Sequence, residues 1–215
     1  MPIVISHIST RFMPKKVLYF DTETTGIDPQ KNAIIQLSGM IEIDGEVVET
    51  FNYKIRPLQS DEIDPEALAV HGITEAEMDA YPEPKVVLSQ FLTLLERYCN
   101  KFDRNDKYFP AGYNVKFDLE MLYAFARKQG EKYLGSFLAW VPIDAMPLVH
   151  YLVTQSDFKL PDYKLKTVCD HFKIPIQAHD AMSDITATRL LIKQLEGIIS
   201  CKYESPKKET QELPF

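Results

Sequence analysis

Asp44–Gly45 stands between two β-rich stretches, residues 33–43 and 46–55. A two-residue Asp-Gly connection accepts the positive φ angles of a type I′ turn, so its flanks are committed to an antiparallel hairpin. An apolar run, Val17–Leu18–Tyr19–Phe20, precedes the hairpin and reads as a strand buried on both faces. Three strands in succession predict an antiparallel meander. Residues 65–71 then predict a short helix stopped by Gly72. Pro84 opens a longer helix, with Val87, Phe91, Leu94, Leu95 and Tyr98 at helical spacing. Residues 107–112 predict a fourth strand, and 117–128 a helix ended by Gly130. Residues 140–144 predict a fifth strand followed by a helix through Val153, and 164–172 a short helix. The last long helix is expected from about 180 to 199, with Ala181, Ile185, Leu191, Ile192, Leu195 and Ile199 on one stripe. The order is that of an α/β fold: a mixed five-stranded sheet, meander first and parallel strands after, flanked by helices.

With 45% hydrophobic and 26% charged residues, the chain has an ordinary globular composition. It is expected to divide into a loose leader (1–15), one domain (16–199) and a mobile polar tail (200–215) that carries Pro206 and Pro214. No apolar run approaches the ~20 residues of a membrane span. Cys99, Cys169 and Cys201 are widely spaced, which suggests free thiols in a reducing, cytoplasmic setting rather than a disulfide frame or zinc site. The net charge of −7 argues against a protein that holds a polyanion by charge alone.

Three short segments carry chemistry. Asp21–Thr22–Glu23 follows the first strand directly. Residues two apart on a strand share a face, so both carboxylates project together from its C-terminal end. Open α/β sheets bind ligands there. The alternative is a solvated strand end, because 31 acids in the chain make such pairs common. Asn114–Val115–Lys116–Phe117–Asp118 joins the fourth strand to the next helix. Asp118 falls in the first helical turn, where the macrodipole alone favours a carboxylate by ~0.3–1 kcal/mol. Asn114 also suits a turn or an N-cap. His179–Asp180–Ala181–Met182–Ser183–Asp184 opens the last helix, with Asp180 suited to capping and Asp184 just inside.

Together the segments supply four carboxylates and one histidine, each at the junction of a strand or loop with a helix. Hard divalent cations such as Mg²⁺ and Mn²⁺ take oxygen ligands. Four carboxylates bring −4, which two such ions cancel; without them, mutual repulsion raises the carboxyl pKa values. In two-metal sites the ions sit roughly 3.5–4 Å apart and clamp the attacking and leaving oxygens of a displacement. His179, with an ordinary pKa of about 6.5, can take a proton from water near neutral pH. The absence of a G-x-x-x-x-G-K-[ST] loop weighs against a phosphate-loop nucleotide hydrolase.

In this order the three segments resemble the motifs of the DEDD exonuclease superfamily, histidine subtype, over about residues 16–197. The wording Asp21–Thr22–Glu23–Thr24–Thr25–Gly26 is most similar to the epsilon-like proofreading exonucleases of bacterial DNA polymerase III. Ala69–Val70–His71–Gly72–Ile73–Thr74 resembles their substrate loop, and Lys164–Leu165–Lys166–Thr167–Val168–Cys169 the helix before their third motif. The resemblance implies a ribonuclease H-like fold and 3′→5′ hydrolysis of single-stranded DNA ends that releases nucleoside 5′-monophosphates. It implies metal ligation by Asp21, Glu23, Asp118 and Asp184, with His179 as general base. Thr24, His71, Asn114 and Phe117 would surround the terminal nucleotide. Thr24 can instead be a turn residue, His71 a helix C-terminal residue and Phe117 core. Tyr113 departs from the pattern, since many relatives carry histidine there.

Because the metals contact phosphate and sugar, the same site would also serve an exoribonuclease or oligonucleotide-trimming enzyme. Discrimination at the 2′-hydroxyl depends on shape. Two bound divalent ions would move the net charge from −7 to −3, and a short single-stranded end needs few phosphate contacts. A partner that delivers the substrate, a DNA polymerase or a sliding clamp, is therefore expected. Gln211–Glu212–Leu213–Pro214–Phe215 resembles the clamp-binding peptides of bacterial replication proteins, with leucine one place early.

Overall fold

A computed structural model describes residues 15–177 and 180–202. The expectations for the leader up to residue 14, for His179 and for the Gln211–Phe215 peptide lie outside the described residues. The meander is β1 (Lys16–Thr24), β2 (Ile34–Ile43) and β3 (Glu46–Lys54). Asp44 and Gly45 both carry positive φ, 50° and 94°, as the type I′ turn between β2 and β3 requires. Helices α1 (Pro65–His71), α2 (Glu75–Asp79) and α3 (Pro84–Glu96) follow. Then come β4 (Tyr108–Gly112), α4 (Val115–Lys128), β5 (Ile143–Asp144), α5 (Ala145–Thr154), α6 (Leu165–Phe172) and α7 (Ala181–Lys202).

The sheet order is β3-β2-β1-β4-β5. β1 is antiparallel to β2 and parallel to β4, and β5 is parallel to β4. Side chains of β1 alternate between two cores, as a strand buried on both faces must. Leu18 and Phe20 enter the core under α3 and α4, while Val17 and Tyr19 enter the core under α5, α6 and α7. β2 pairs with β1 as far as Thr24, but β4 pairs with it only over Lys16–Tyr19. The last residues of β1 are thus covered along one edge, and the other edge opens a crevice where the sheet changes from antiparallel to parallel.

Two elements differ from expectation. The fifth strand is confined to Ile143–Asp144, and Trp140 lies 96% exposed outside it. The preceding chain spends its backbone bonds on a 3₁₀ turn at Leu134–Ser136 and a single bridge from Leu138 to Tyr108. α2 was not expected, although its start is written in the sequence: Thr74 and Glu77 form a capping box. α7 buries Ala181, Ile185, Leu191, Ile192 and Leu195 of the expected stripe, but Ile198 rather than Ile199 packs against that core, and the helix continues to Lys202, past the expected start of the tail at residue 200. Cys99 and Cys169 are buried and free. Among the described residues, no helix is long and apolar enough to cross a membrane.

Candidate active site

The alternation of β1 sends consecutive site residues to opposite sides. Asp21 continues the row of Val17 and Tyr19 toward α7, and Thr22 turns toward α4. Because β4 stops pairing at Tyr19, the Thr22 N–H on the open edge has no strand partner. Asp118 supplies one: Thr22 N donates to Asp118 Oδ1 at 3.0 Å, and Thr22 Oγ1 donates to the same oxygen at 2.6 Å. Asp118 reaches this point because β4 hands over to α4 within a few residues. Gly112 permits the close turn, since a Cβ there would stand 2.9 Å from Val115 and 3.2 Å from the Phe20 carbonyl oxygen. Asn114 takes a left-handed φ of 57° at the N-cap position and makes no side-chain capping bond. Its backbone N–H donates to Asp144 Oδ1 at 2.9 Å, and that oxygen also accepts from Met146 N at 3.1 Å. One carboxylate therefore joins the heads of α4 and α5.

On the other face, Asp180 Oδ1 accepts from Ser183 N at 2.8 Å and caps the start of α7, the role its sequence position suggested. Asp184 follows in the first turn, half-buried. Asp21 and Asp184 both line a cavity of about 170 Å³ between the sheet, α6 and α7, together with Tyr113, Leu165 and Thr188. The Tyr113 hydroxyl donates to the Tyr163 carbonyl, which ties the end of β4 to the loop before α6. α7 is seated on the sheet by Glu42 of β2, which accepts from Arg189 Nε at 2.6 Å and Lys193 Nζ at 2.9 Å.

The acids share one electrostatic field. Burial pushes the Asp21 carboxyl well above the usual carboxylate range, and the charges of Asp118, Glu23 and Asp184 push it further. Burial pushes Asp118 up to about 7 against the lowering effect of the two Thr22 hydrogen bonds, and repulsion from Glu23 adds a smaller push upward. Carboxylates from three separate segments thus repel one another in a partly buried pocket. An all-oxygen donor set whose anions are penalised together fits hard divalent cations. Among the described residues, no three His, Cys, Asp or Glu side chains form a ready-made metal cage.

The residues expected around a terminal nucleotide have mixed placements. Thr24 is buried and its Oγ1 donates to the Gly26 carbonyl at 2.8 Å, the turn contact offered as its alternative. His71 ends α1 as its alternative proposed, and its Nδ1 accepts from Ile73 N at 3.1 Å. Burial lowers its pKa, while the Thr24 backbone, close beside the ring, opposes that shift. His71 therefore stands next to the end of β1. Phe117 is half-buried against the core under α4.

The motif reading missed Thr22 and Lys54. Thr22 was visible as the residue between two acids, facing the opposite way. Lys54 is reachable only through register: Glu23 lies opposite Gln36 and Gln36 opposite Lys54. Lys54 Nζ donates to Gln36 Oε1, and burial lowers its pKa while Glu23 and Glu77 raise it.

An exonuclease family model (RNase T) matches residues 18–191. DNA polymerase III PolC-type of Thermotoga maritima is 30% identical over 169 residues, which are 78% of this chain and 11% of that polymerase. The PolC-type protein of Oceanobacillus iheyensis is 26% identical over 197 residues, 91% of this chain and 12% of that one. The chain thus spans about a ninth of the length of these relatives. E. coli Exonuclease I in complex with a dT13 oligonucleotide superposes with a TM-score of 0.70 at 20% identity, covering 85% of this chain and 41% of that one. Its zinc-bound form with single-stranded DNA gives 0.71 at 21%, covering 86% and 41%. These likenesses bear out the ribonuclease H-like fold. The chain belongs to the RNase T exonuclease family, within the DEDD superfamily of 3′→5′ exonucleases.

Proposed function

We propose that this protein removes nucleoside 5′-monophosphates from single-stranded 3′ ends of DNA in replication proofreading or repair. The observation that carries this reading is that Asp21 and Asp184 line one cavity while Thr22, the next residue of β1, holds Asp118 at the same strand end, so that the acids raise the Asp21 carboxyl together. Asp21, Glu23, Asp118 and Asp184 would hold two divalent cations, Mg²⁺ or Mn²⁺. When bound, the cations supply an activated water and charge stabilisation for the leaving 3′ oxygen. Thr22 fixes the Asp118 oxygen through two donors, so that the carboxylate is oriented before any ion arrives. His179 takes the proton of the attacking water. Thr24, His71, Asn114 and Phe117 surround the terminal nucleotide, with the Asn114 side chain offering hydrogen bonds and Phe117 packing against a base or sugar.

The fold shared with oligonucleotide-bound Exonuclease I and the kinship with PolC-type polymerases support DNA as substrate and a polymerase as partner. Membership of the RNase T exonuclease family favours a second reading, an exoribonuclease with the same site. The acidic net charge supports delivery of substrate by a partner, with the Gln211–Phe215 peptide as the point of contact with a sliding clamp.

The test is a time course on 5′-labelled single-stranded DNA and RNA, with Mg²⁺, Mn²⁺ or EDTA. A ladder that shortens from the 3′ end, faster on DNA and abolished by EDTA, is the expected result. Cutting that persists in EDTA refutes the mechanism, and a preference for RNA promotes the second reading. Asp118→Ala and Asp184→Ala should each lose all but about a tenth or less of the rate while remaining folded, because each removes a metal clamp.

A further inference from the structure

A groove of about 810 Å³ runs along the outer side of α4. The helix forms one wall, and the segment 131–142, returning toward β5, forms the other. Lys116 marks one end, two residues before Asp118, and Arg127 marks the far end. At ~1.5 Å of rise per residue these ends lie ~16 Å apart. That length suits about five nucleotides stacked at ~3.4 Å.

The groove mixes aromatic and cationic groups. Arg127 lies over the Tyr123 ring, 5.9 Å from its centroid. Lys116 and Lys132 add two further cations. The acids in the groove are already engaged: Glu120 pairs with Lys116 at 3.8 Å, and Glu131 accepts from the Tyr133 N–H. Three cations against two acids leave the groove lining at a net charge of +1, on a chain of net charge −7. Trp140, on the wall nearer β5, is 96% exposed. A large indole left in water contributes nothing to the core, and an aromatic of this kind is worth most when another flat group covers it.

We propose that this groove carries single-stranded nucleic acid upstream of the terminal nucleotide, with Trp140 stacked on a base. The inference rests on the exonuclease reading above and extends it to a track for the body of the strand, which none of the three motifs touches. Position favours a nucleic acid over a protein occupant: the end of the groove at Lys116 and Pro142 lies at the head of α4, the turn that also carries Asp118, although Asp118 itself faces the sheet and the groove runs along the outer face. Aromatic faces between cations are the usual platform for a single strand, because every base has a π-face and every linkage a charge.

Trp140 is the single tryptophan of the chain, so its fluorescence reports this site directly. A dodecathymidylate with hydrolysis-resistant phosphorothioate linkages, added in Mg²⁺, should quench the emission saturably, whereas thymidine monophosphate should not. Trp140→Ala should weaken binding of the dodecamer by about tenfold, the scale of one lost base–aromatic stack, and by less as the oligonucleotide is shortened. An unquenched indole at saturating oligonucleotide overturns the proposal and leaves the groove to a protein partner. If unmodified DNA is still cut in that case, the exonuclease reading stands alone; if it is not cut, that reading fails too.

Discussion

Thr22 lies between two acids and faces away from both, and this orientation lets it hold a third. Its hydroxyl and N–H converge on one Asp118 oxygen. Thr22→Val keeps the shape and deletes the hydroxyl donor. Stability should fall by about 1–2 kcal/mol, as for other buried hydrogen bonds, and be read from the denaturant midpoint at unchanged slope. The exonuclease rate should fall with it, and an unchanged midpoint and rate would deny Thr22 its orienting role. Asp118 also sets a pH dependence. Its carboxyl is raised from 3.8 to about 7, so across that window the folded chain keeps a proton that the unfolded chain has lost. Stability from this group is present below pH ~4 and is lost as pH rises through about 7. The metal-free protein should therefore melt lower at the upper end of the window than at the lower, and Asp118→Asn should flatten the difference. A melting temperature that climbs across the window by the same amount in both proteins would contradict this. The acids themselves were legible from three short motifs, because each sits at an element boundary that turn and cap chemistry reveals. Lys54 was not, because it comes beside Glu23 only through the register of two strand pairs.

At the scale of elements, the position of α7 decides whether Asp184 meets Asp21. Glu42, 1% exposed on β2, anchors that helix through Arg189 and Lys193. Burial alone would raise the Glu42 pKa, but the hydrogen bonds from the two cations reverse it, so the carboxylate stays charged. The replacement Arg189→Met with Lys193→Met strands that charge and should destabilise by about 3–5 kcal/mol. Glu42→Met leaves two partly exposed cations that can reach water, so it should cost clearly less. Thermal or denaturant melts distinguish the two, and equal losses would show that the charge pair does not seat α7. The hairpin and the α7 stripe were readable because turn residues and helical spacing are local signals. The fifth strand was drawn too long because Trp140 and Val141 look like strand residues, whereas both stay exposed. Pairing is a property of the neighbouring strand, and β4 offers β5 only Ala111 and Gly112.

For the whole molecule, the sheet places its change from antiparallel to parallel pairing under the acids and packs a separate core on each side of β1. The two faces bring Asp118 and Asp184 to the same strand end from opposite directions. That convergence is a tertiary fact, and the motif order could only imply it through resemblance to a family. In the function proposed above, these acids act together on a pair of cations. The most direct measurement is calorimetric titration of Mn²⁺ into the metal-free protein, with thymidine monophosphate present to complete the site. Two ions should bind per chain at neutral pH, more weakly as pH falls below about 7, the value to which Asp118 is raised. Asp21→Asn should bind at most one. Saturation without any bound ion, or the same two ions bound to Asp21→Asn, would contradict the account.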